Sequence, residues 1–217
     1  MIFDIEIAKQ VAKSLLQIKA IILQPNNPFV WASGWLSPIY CDNRKILSFP
    51  KERTFIRQNI ANIIQKKYQN TNIIAGVATG GIPHGVLVAE ELGLPFIYVR
   101  AKAKEYGKQN KIEGYYKERD SVIMIEDLIS TGKSSLDAQR SIQDSKLDVK
   151  AIISIFNYGF KEAKKNFKKE NCNYISLCNY DILLEEALKI NYINKTDIPL
   201  LESWRKAPEK WNPNGKI

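Results

Sequence analysis

The sequence predicts an α/β fold, with a mostly parallel central sheet flanked by helices and a small N-terminal hood. Three observations carry this. Four short apolar runs, IIAGVA (73–78), PFIYV (95–99), SVIMI (121–125) and VKAIISIF (149–156), have the few polar interruptions expected of strands covered on both faces. Helical patterns lie between several of them, at HGVLVAEEL (84–92) and SSLDAQRSIQ (134–143). Residues 1–60 have another texture, in which prolines, Gly34 and alternating apolar residues replace the strand–helix rhythm.

The elements follow in order. From Glu6 to about Leu23, Ile7, Val11, Leu15 and Ile18 recur at helical spacing and predict an amphipathic helix. After QPNNP, the stretch FVWASGWLSPIYCDNRKILSFP predicts short strands or extended turns. Pro50 then opens a helix through Phe55, Ile60 and Ile64 to near Tyr68, since a first-turn N–H has no intrahelical partner to lose. The four apolar runs supply the core strands. YISL (174–177) is a last strand before a helix across ILLEEALKI (182–190). No repeat or linker divides the chain, so residues 1–217 read as one domain, with residues 1–60 as a hood over its site.

Composition removes several classes. The chain is 45% hydrophobic and 25% charged, which excludes a disordered or fibrous protein. Cys41, Cys172 and Cys178 form no CxxC pair, and His84 is the single histidine. A disulfide framework and a structural zinc are therefore not expected, and a reducing cytoplasm is the natural compartment. The N-terminus MIFDIEIAKQ does not read as a secretion signal, and no apolar run approaches the roughly 20 residues that span a bilayer. The net charge of +9 suits nucleic acid and a small polyanionic substrate near a cleft equally. It is spread along the chain, and the cluster KEAKKNFKK (161–169) reads as a solvated helix face, with no nucleic-acid recognition motif beside it.

In such a sheet, ligands gather beyond the carboxyl ends of the strands. VIMIEDLISTGKSS (122–135) ends an apolar strand in Glu126 and Asp127, followed by Ser130, Thr131 and Gly132 ahead of a helix. Adjacent carboxylates repel and are costly to desolvate, so they belong opposite sugar hydroxyls, a metal ion or solvent. The small residues behind them can wrap an anion at the helix start. TGKS is not a nucleotide P-loop, because GxxxxGKS would need glycine where Asp127 stands. An ordinary charged turn leaves the coincidence of acids, hydroxyls and glycine without a cause. GVATGGIPHG (76–85) allows close backbone approach at a second strand end, by Thr79, Gly80 and Gly81; alone it fits a tight turn as well as an anion loop. His84 reads as a helix-start or packing residue. A third strand end, VRAKAKEYGKQNKIEG (99–114), offers Arg100, Lys102, Lys104, Lys108 and Lys111. That stretch suits either a solvated loop or a cationic flap over pyrophosphate.

VIMIEDLISTGKSS resembles the phosphoribosyl-pyrophosphate signature of the type I phosphoribosyltransferases. FVWASGWLSPIYCDNR and VRAKAKEYG, in this order, resemble the orotate phosphoribosyltransferases, over residues 3–190. The resemblance implies magnesium-dependent transfer of phosphoribose from 5-phosphoribosyl 1-pyrophosphate to orotate, by a homodimer that shares its flexible loop between sites. It implies that Glu126 and Asp127 address the ribose hydroxyls. The phosphoribosyl pyrophosphate would lie along Leu128, Ile129, Ser130, Thr131, Gly132, Lys133, Ser134 and Ser135, with the 5′-phosphate at Thr131 to Ser135. Arg100, Lys102, Lys104 and Tyr106 would bind the same substrate from the flap, with Lys104 foremost in catalysis and Arg100 supplied across the dimer. Thr79, Gly80 and Gly81 would turn around pyrophosphate. Orotate would meet Ser130, Ser33, Gly34, Tyr40, Cys41 and Arg44. Magnesium would be held mainly through substrate and water, without a protein cage.

The sequence departs from the family pattern in places. Ala101 stands at a flap position that often carries lysine, Tyr106 where histidine is common, and Ala32 where many members have a lysine that holds orotate. Lys133 replaces a frequent second glycine, and IFNYG (155–159) lacks an arginine that some members aim at orotate. Arg44 is the candidate for part of that charge, since its fork can grip a carboxylate, or it pairs with Asp42. Two rival functions stay open: transfer to a purine or another base, and a non-catalytic regulator that senses phosphoribosyl pyrophosphate. The tail LESWRKAPEKWNPNGKI leaves open whether Trp204 and Trp211 pack on the core or on a partner.

Overall fold

The computed structural model describes residues 1–31, 34–102 and 111–212. Helix α1 (Ile5–Gln17) is capped by Asp4, whose carboxylate accepts from the Ile7 amide at 3.0 Å. It ends well before Leu23, where the apolar spacing would carry it. Lys19 takes a positive φ of 54°, and the chain enters strand β1 (Ile21–Leu23). Pairing of β-branched Ile21 and Ile22 with another strand outweighs the local helical period.

The rest of the hood is made of short pieces. Strands β2 (Phe29–Val30) and β3 (Leu36–Ser37) pair antiparallel, and β4 (Ile39–Cys41) pairs antiparallel with β1 in the register Ile21 to Cys41. A 3₁₀ turn over Asn43–Ser48 leads to α2 (Pro50–Lys67), which opens at Pro50 as its missing N–H allows.

The core then alternates as expected: β5 (Ile73–Val77), α3 (Gly81–Leu92), β6 (Phe96–Val99), β7 (Ile112–Glu113), β8 (Ser121–Ile129), α4 (Lys133–Asp144), β9 (Asp148–Asn157), α5 (Lys161–Lys169), β10 (Tyr174–Asn179), α6 (Tyr180–Lys189) and α7 (Ile198–Lys206). One sheet runs in the order β10-β9-β8-β5-β6-β7, parallel except for the edge strand β7, which pairs antiparallel with β6. Alternate residues of each strand serve different cores. Ile74, Ile123, Ile125 and Ile153 pack with α1, α2, α3 and α6, whereas Ile73, Ala75, Val122 and Met124 pack with α4 and α5. The α5 lysines are exposed while Ala163 and Phe167 are buried, so the basic cluster is the solvated helix face that its spacing predicts.

From β5 the chain crosses through α3 to β6 on one side, while β8 lies on the other side and leads on to β9 and β10. The turns after β5 and β8 therefore lie side by side at the switch point of the sheet, the place where a ligand crevice forms in such folds.

The tail packs on the core. Trp204 of α7 is fully buried, with its ring 5.4 to 5.6 Å from those of Trp31, Tyr158, Phe160 and Tyr180. Trp211 is buried too, and its Nε1 donates to Ser203 Oγ at 3.0 Å.

Candidate active site

Strand β8 delivers Glu126 and Asp127 to the crevice in different settings. Glu126 is 4% exposed; its Oε2 accepts from Ser135 Oγ at 2.9 Å and its Oε1 from the Asp127 amide at 3.2 Å. Burial first, and then the neighbouring Asp127 charge, push its carboxyl well above the usual carboxylate range. Glu126 thus braces the loop from beneath by holding the first turn of α4. Asp127 is the half-buried acid of the pair, the one open to solvent. The two carboxylates nonetheless lie against each other, and the Asp127 side chain adds to the upward push on Glu126.

The glycines of the second strand end decide where Asp127 lies. A Cβ on Gly80 would overlap the Asp127 carboxylate, and one on Gly81 would overlap the Ile125 carbonyl. Only glycine lets the start of α3 approach β8 this closely. Thr79 is exposed beside them, after a cis peptide from Ala78.

Beyond Asp127, Leu128 and Ile129 finish β8, and Ile129 is buried in the core shared with α4 and α5. Ser130 and Thr131 are half-buried, and the Thr131 carbonyl accepts from Asn166 Nδ2 at 3.1 Å. Gly132 caps α4 with a φ of 79°, a conformation that favours glycine. Lys133 and Ser134 are exposed and Ser135 is buried. The free N–H groups of that first turn, with the helix dipole behind them, form a site suited to an anion.

The cationic segment is described only at its stem. The Arg100 amide donates to the Lys111 carbonyl at 2.8 Å, and Arg100 Nη1 lies 3.7 Å from Glu113 Oε1. Ala101 and Lys102 are exposed, while the candidates Lys104, Tyr106 and Lys108 lie outside the described residues. A cavity of about 120 Å³ is lined by Ala78, Arg100, Lys111, Ser134 and Asp137, which joins this stem to the β5 turn and the start of α4.

The hood meets the end of β8 through Asn43, which bonds to the Asp127 carbonyl. Gly34 turns the β2–β3 hairpin with a φ of 83°, and Ser33 lies outside the described residues. Tyr40 is partly exposed and its ring lies 5.6 Å from that of Phe29. The Cys41 thiol is pushed well up, by burial first and then by the charge of Asp127. Arg44 Nε donates to Asp42 Oδ1 at 2.7 Å, the pairing that competes with its candidacy for a substrate carboxylate.

Two residues of this site escape the sequence reading. Asn43 is buried and its Nδ2 donates to the Asp127 carbonyl at 2.7 Å. Trp31 joins the hood to Tyr158 and Trp204, and its Nε1 donates to the Ile39 carbonyl at 3.2 Å. Asn43 sits inside the CDNR string, yet no periodicity separates a buried amide from a turn residue; Trp31 carries the signal of a large aromatic in the apolar run Phe29–Ala32. His84 is buried on α3, with its pKa lowered by burial against opposing pulls from Asp127 and the Asn43 backbone. Among the described residues, no group of three or more histidine, cysteine or acidic side chains could hold a metal ion, and no helix is long and apolar enough to cross a membrane. The three cysteines are free.

No family model matches the chain. It is 51% identical over 203 residues to the orotate phosphoribosyltransferase of Phocaeicola vulgatus, covering 94% of this chain and 96% of that protein. Among solved structures it resembles Leishmania donovani UMP synthase, with a TM-score of 0.77 and 25% identity over 91% of this chain and 42% of that longer one. It also resembles the orotate phosphoribosyltransferase of Aeropyrum pernix, with a TM-score of 0.74 and 23% identity over 85% of this chain and 99% of that one.

Proposed function

This chain belongs to the orotate phosphoribosyltransferases, and from that premise we propose how its residues serve the reaction. It transfers the 5-phosphoribosyl group of 5-phosphoribosyl 1-pyrophosphate to N1 of orotate in pyrimidine biosynthesis. The C1–oxygen bond to pyrophosphate breaks, the C1–N1 bond forms, orotate gives up its N1 proton, and orotidine 5′-monophosphate and pyrophosphate leave. The observation that carries the reading is a convergence at one switch point. The glycine turn after β5, the open carboxylate of Asp127 and the start of α4 meet there beneath the hood.

Asp127 accepts from the ribose hydroxyls, and Glu126 keeps the loop in shape through Ser135. The N–H groups and hydroxyls of Thr131 to Ser135 take the 5′-phosphate, while Thr79, Gly80 and Gly81 line the pyrophosphate. Arg100, Lys102 and Lys104 neutralise the charge that develops on departing pyrophosphate, with Tyr106 as a hydrogen-bond donor. Ser130, Gly34, Ser33, Tyr40, Cys41 and Arg44 surround orotate.

The half-buried Asp127 carboxylate suits a magnesium ion carried largely by substrate oxygens and water. Asp127 is the residue to help hold it, and bound magnesium supplies charge neutralisation at pyrophosphate. The 99–114 flap would close over pyrophosphate and exclude water, and two copies would assemble so that each lends this flap to the other's site. The reducing cytoplasm suits the free cysteines.

A base-panel assay tests the reading. With phosphoribosyl pyrophosphate and magnesium, orotate yields nucleotide and pyrophosphate, while hypoxanthine, guanine and adenine do not. Product from a purine but not from orotate would overturn it.

A further inference from the structure

Asp127 is held from three sides. Its amide donates to Glu126 Oε1 at 3.2 Å, its carboxylate lies where Gly80 leaves room, and its carbonyl accepts from Asn43 Nδ2 at 2.7 Å. The first two holds come from the sheet and the start of α3. The third comes from the hood, 84 residues away in the chain. Asn43 is 1% exposed and opens the 3₁₀ turn two residues beyond the end of β4, in the same Tyr40–Arg44 segment that is read as lining orotate.

The surroundings are unusual for packing alone. Asn43 Oδ1 is buried without a partner among the described residues, and so is Nε2 of His84, whose imidazole senses both the Asn43 backbone and Asp127. Buried polar atoms are normally satisfied, and an apolar side chain of the same volume would fill the space without that cost. What an apolar side chain could not do is donate to the Asp127 carbonyl.

We propose that Asn43 is a positioning residue: through its amide, the hood sets the backbone of Asp127 and so the direction of the carboxylate that meets the ribose. The inference rests on the ribose-facing reading of Asp127. It has an unexpected kinetic signature. A hood residue that only shaped the base pocket would act on orotate, whereas Asn43 acts on phosphoribosyl pyrophosphate.

The test compares Asn43→Leu, of the same branched shape though larger and without a donor, and Asn43→Asp, nearly isosteric and unable to donate when ionised. Asp127→Asn serves as reference. Each is followed by thermal melting, by titration calorimetry of phosphoribosyl pyrophosphate with magnesium, and by steady-state kinetics in both substrates. Loss of one buried hydrogen bond predicts about tenfold weaker binding of phosphoribosyl pyrophosphate in both Asn43 variants, with the orotate KM changed less than about twofold. If Asn43→Leu does not fold, Asn43→Asp and the smaller Asn43→Ser decide the matter, with Ser retaining part of the binding through its hydroxyl. Unchanged affinity for phosphoribosyl pyrophosphate in folded Asn43 variants, or a loss confined to orotate, overturns the proposal while the site reading stands. Normal affinity in Asp127→Asn overturns the site reading, and this inference with it.

Discussion

The acid loop and the hood touch at Asn43 and Asp127 but are built differently. The acid loop grows out of β8, which is buried from Ser121 to Glu126 and is flanked on both sides by parallel strands. The hood rests on strands of two or three residues, and much of its placement comes from side chains: Trp31 on Tyr158 and Trp204, and Asn43 on Asp127. On the proposed reading, the residues that hold phosphoribose thus stand on a buried central strand, and those that meet the base stand where a few substitutions can reshape them while the sheet stays as it is. Three experiments break or sharpen that contrast.

The largest effect should come from Trp204→Ala. Removing a fully buried indole at the centre of an aromatic cluster costs about 3–5 kcal/mol of stability. Because Trp31 leans on that ring, the hood should loosen while the acid loop keeps its support. Denaturant unfolding measures the first effect, and the ratio of the two KM values measures the second, with the orotate KM rising more. A stability loss below about 1 kcal/mol, or equal changes for both substrates, would mean that the hood does not hang on this cluster.

Lys104→Ala separates both regions from the cationic segment between β6 and β7. If its contact strengthens mainly in the transition state, removal costs about 3 kcal/mol, roughly 100-fold or more in kcat, with orotate binding little changed. Steady-state assays check this once pre-steady-state bursts have established that chemistry limits turnover. A kcat equal to that of the unaltered protein would remove Lys104 from the reaction.

What the sequence disclosed follows the same divide. The buried strands were legible because runs such as SVIMI can sit only in a covered sheet, and Glu126 and Asp127 stood out because acids at a strand end demand a reason. Their separate fates were not legible. Whether an acid turns in to Ser135 or stays open beside Gly80 depends on α3 and α4, which meet β8 only in the fold. The end of α1 is hidden in the sequence because Ile18, Ile21 and Leu23 continue a helical stripe, and only the distant Ile39–Cys41 reveals the strand pairing. Asn43 reads as one more turn residue after Asp42, since its partner lies 84 positions away.

The smallest effect concerns the junction of the two regions, where His84 lies. Burial lowers its pKa, and the Asp127 charge and the Asn43 backbone oppose that only in part. The folded chain therefore takes up a proton less readily than the unfolded chain. The sign follows from linkage: the neutral imidazole contributes stability that is fully present above the unfolded value and is lost as pH falls through that value toward the folded one. Glu126 acts oppositely, because its raised pKa makes the fold gain stability as pH falls. A comparison with His84→Asn cancels that contribution, because Glu126 is common to both proteins. Between about pH 7.5 and 5.5, the melting temperature of the unaltered protein should fall further than that of His84→Asn. Parallel melting curves across that range would show that the imidazole is already open to protons in the folded state, and that the hood closes over this junction less tightly than the acid loop closes over Glu126.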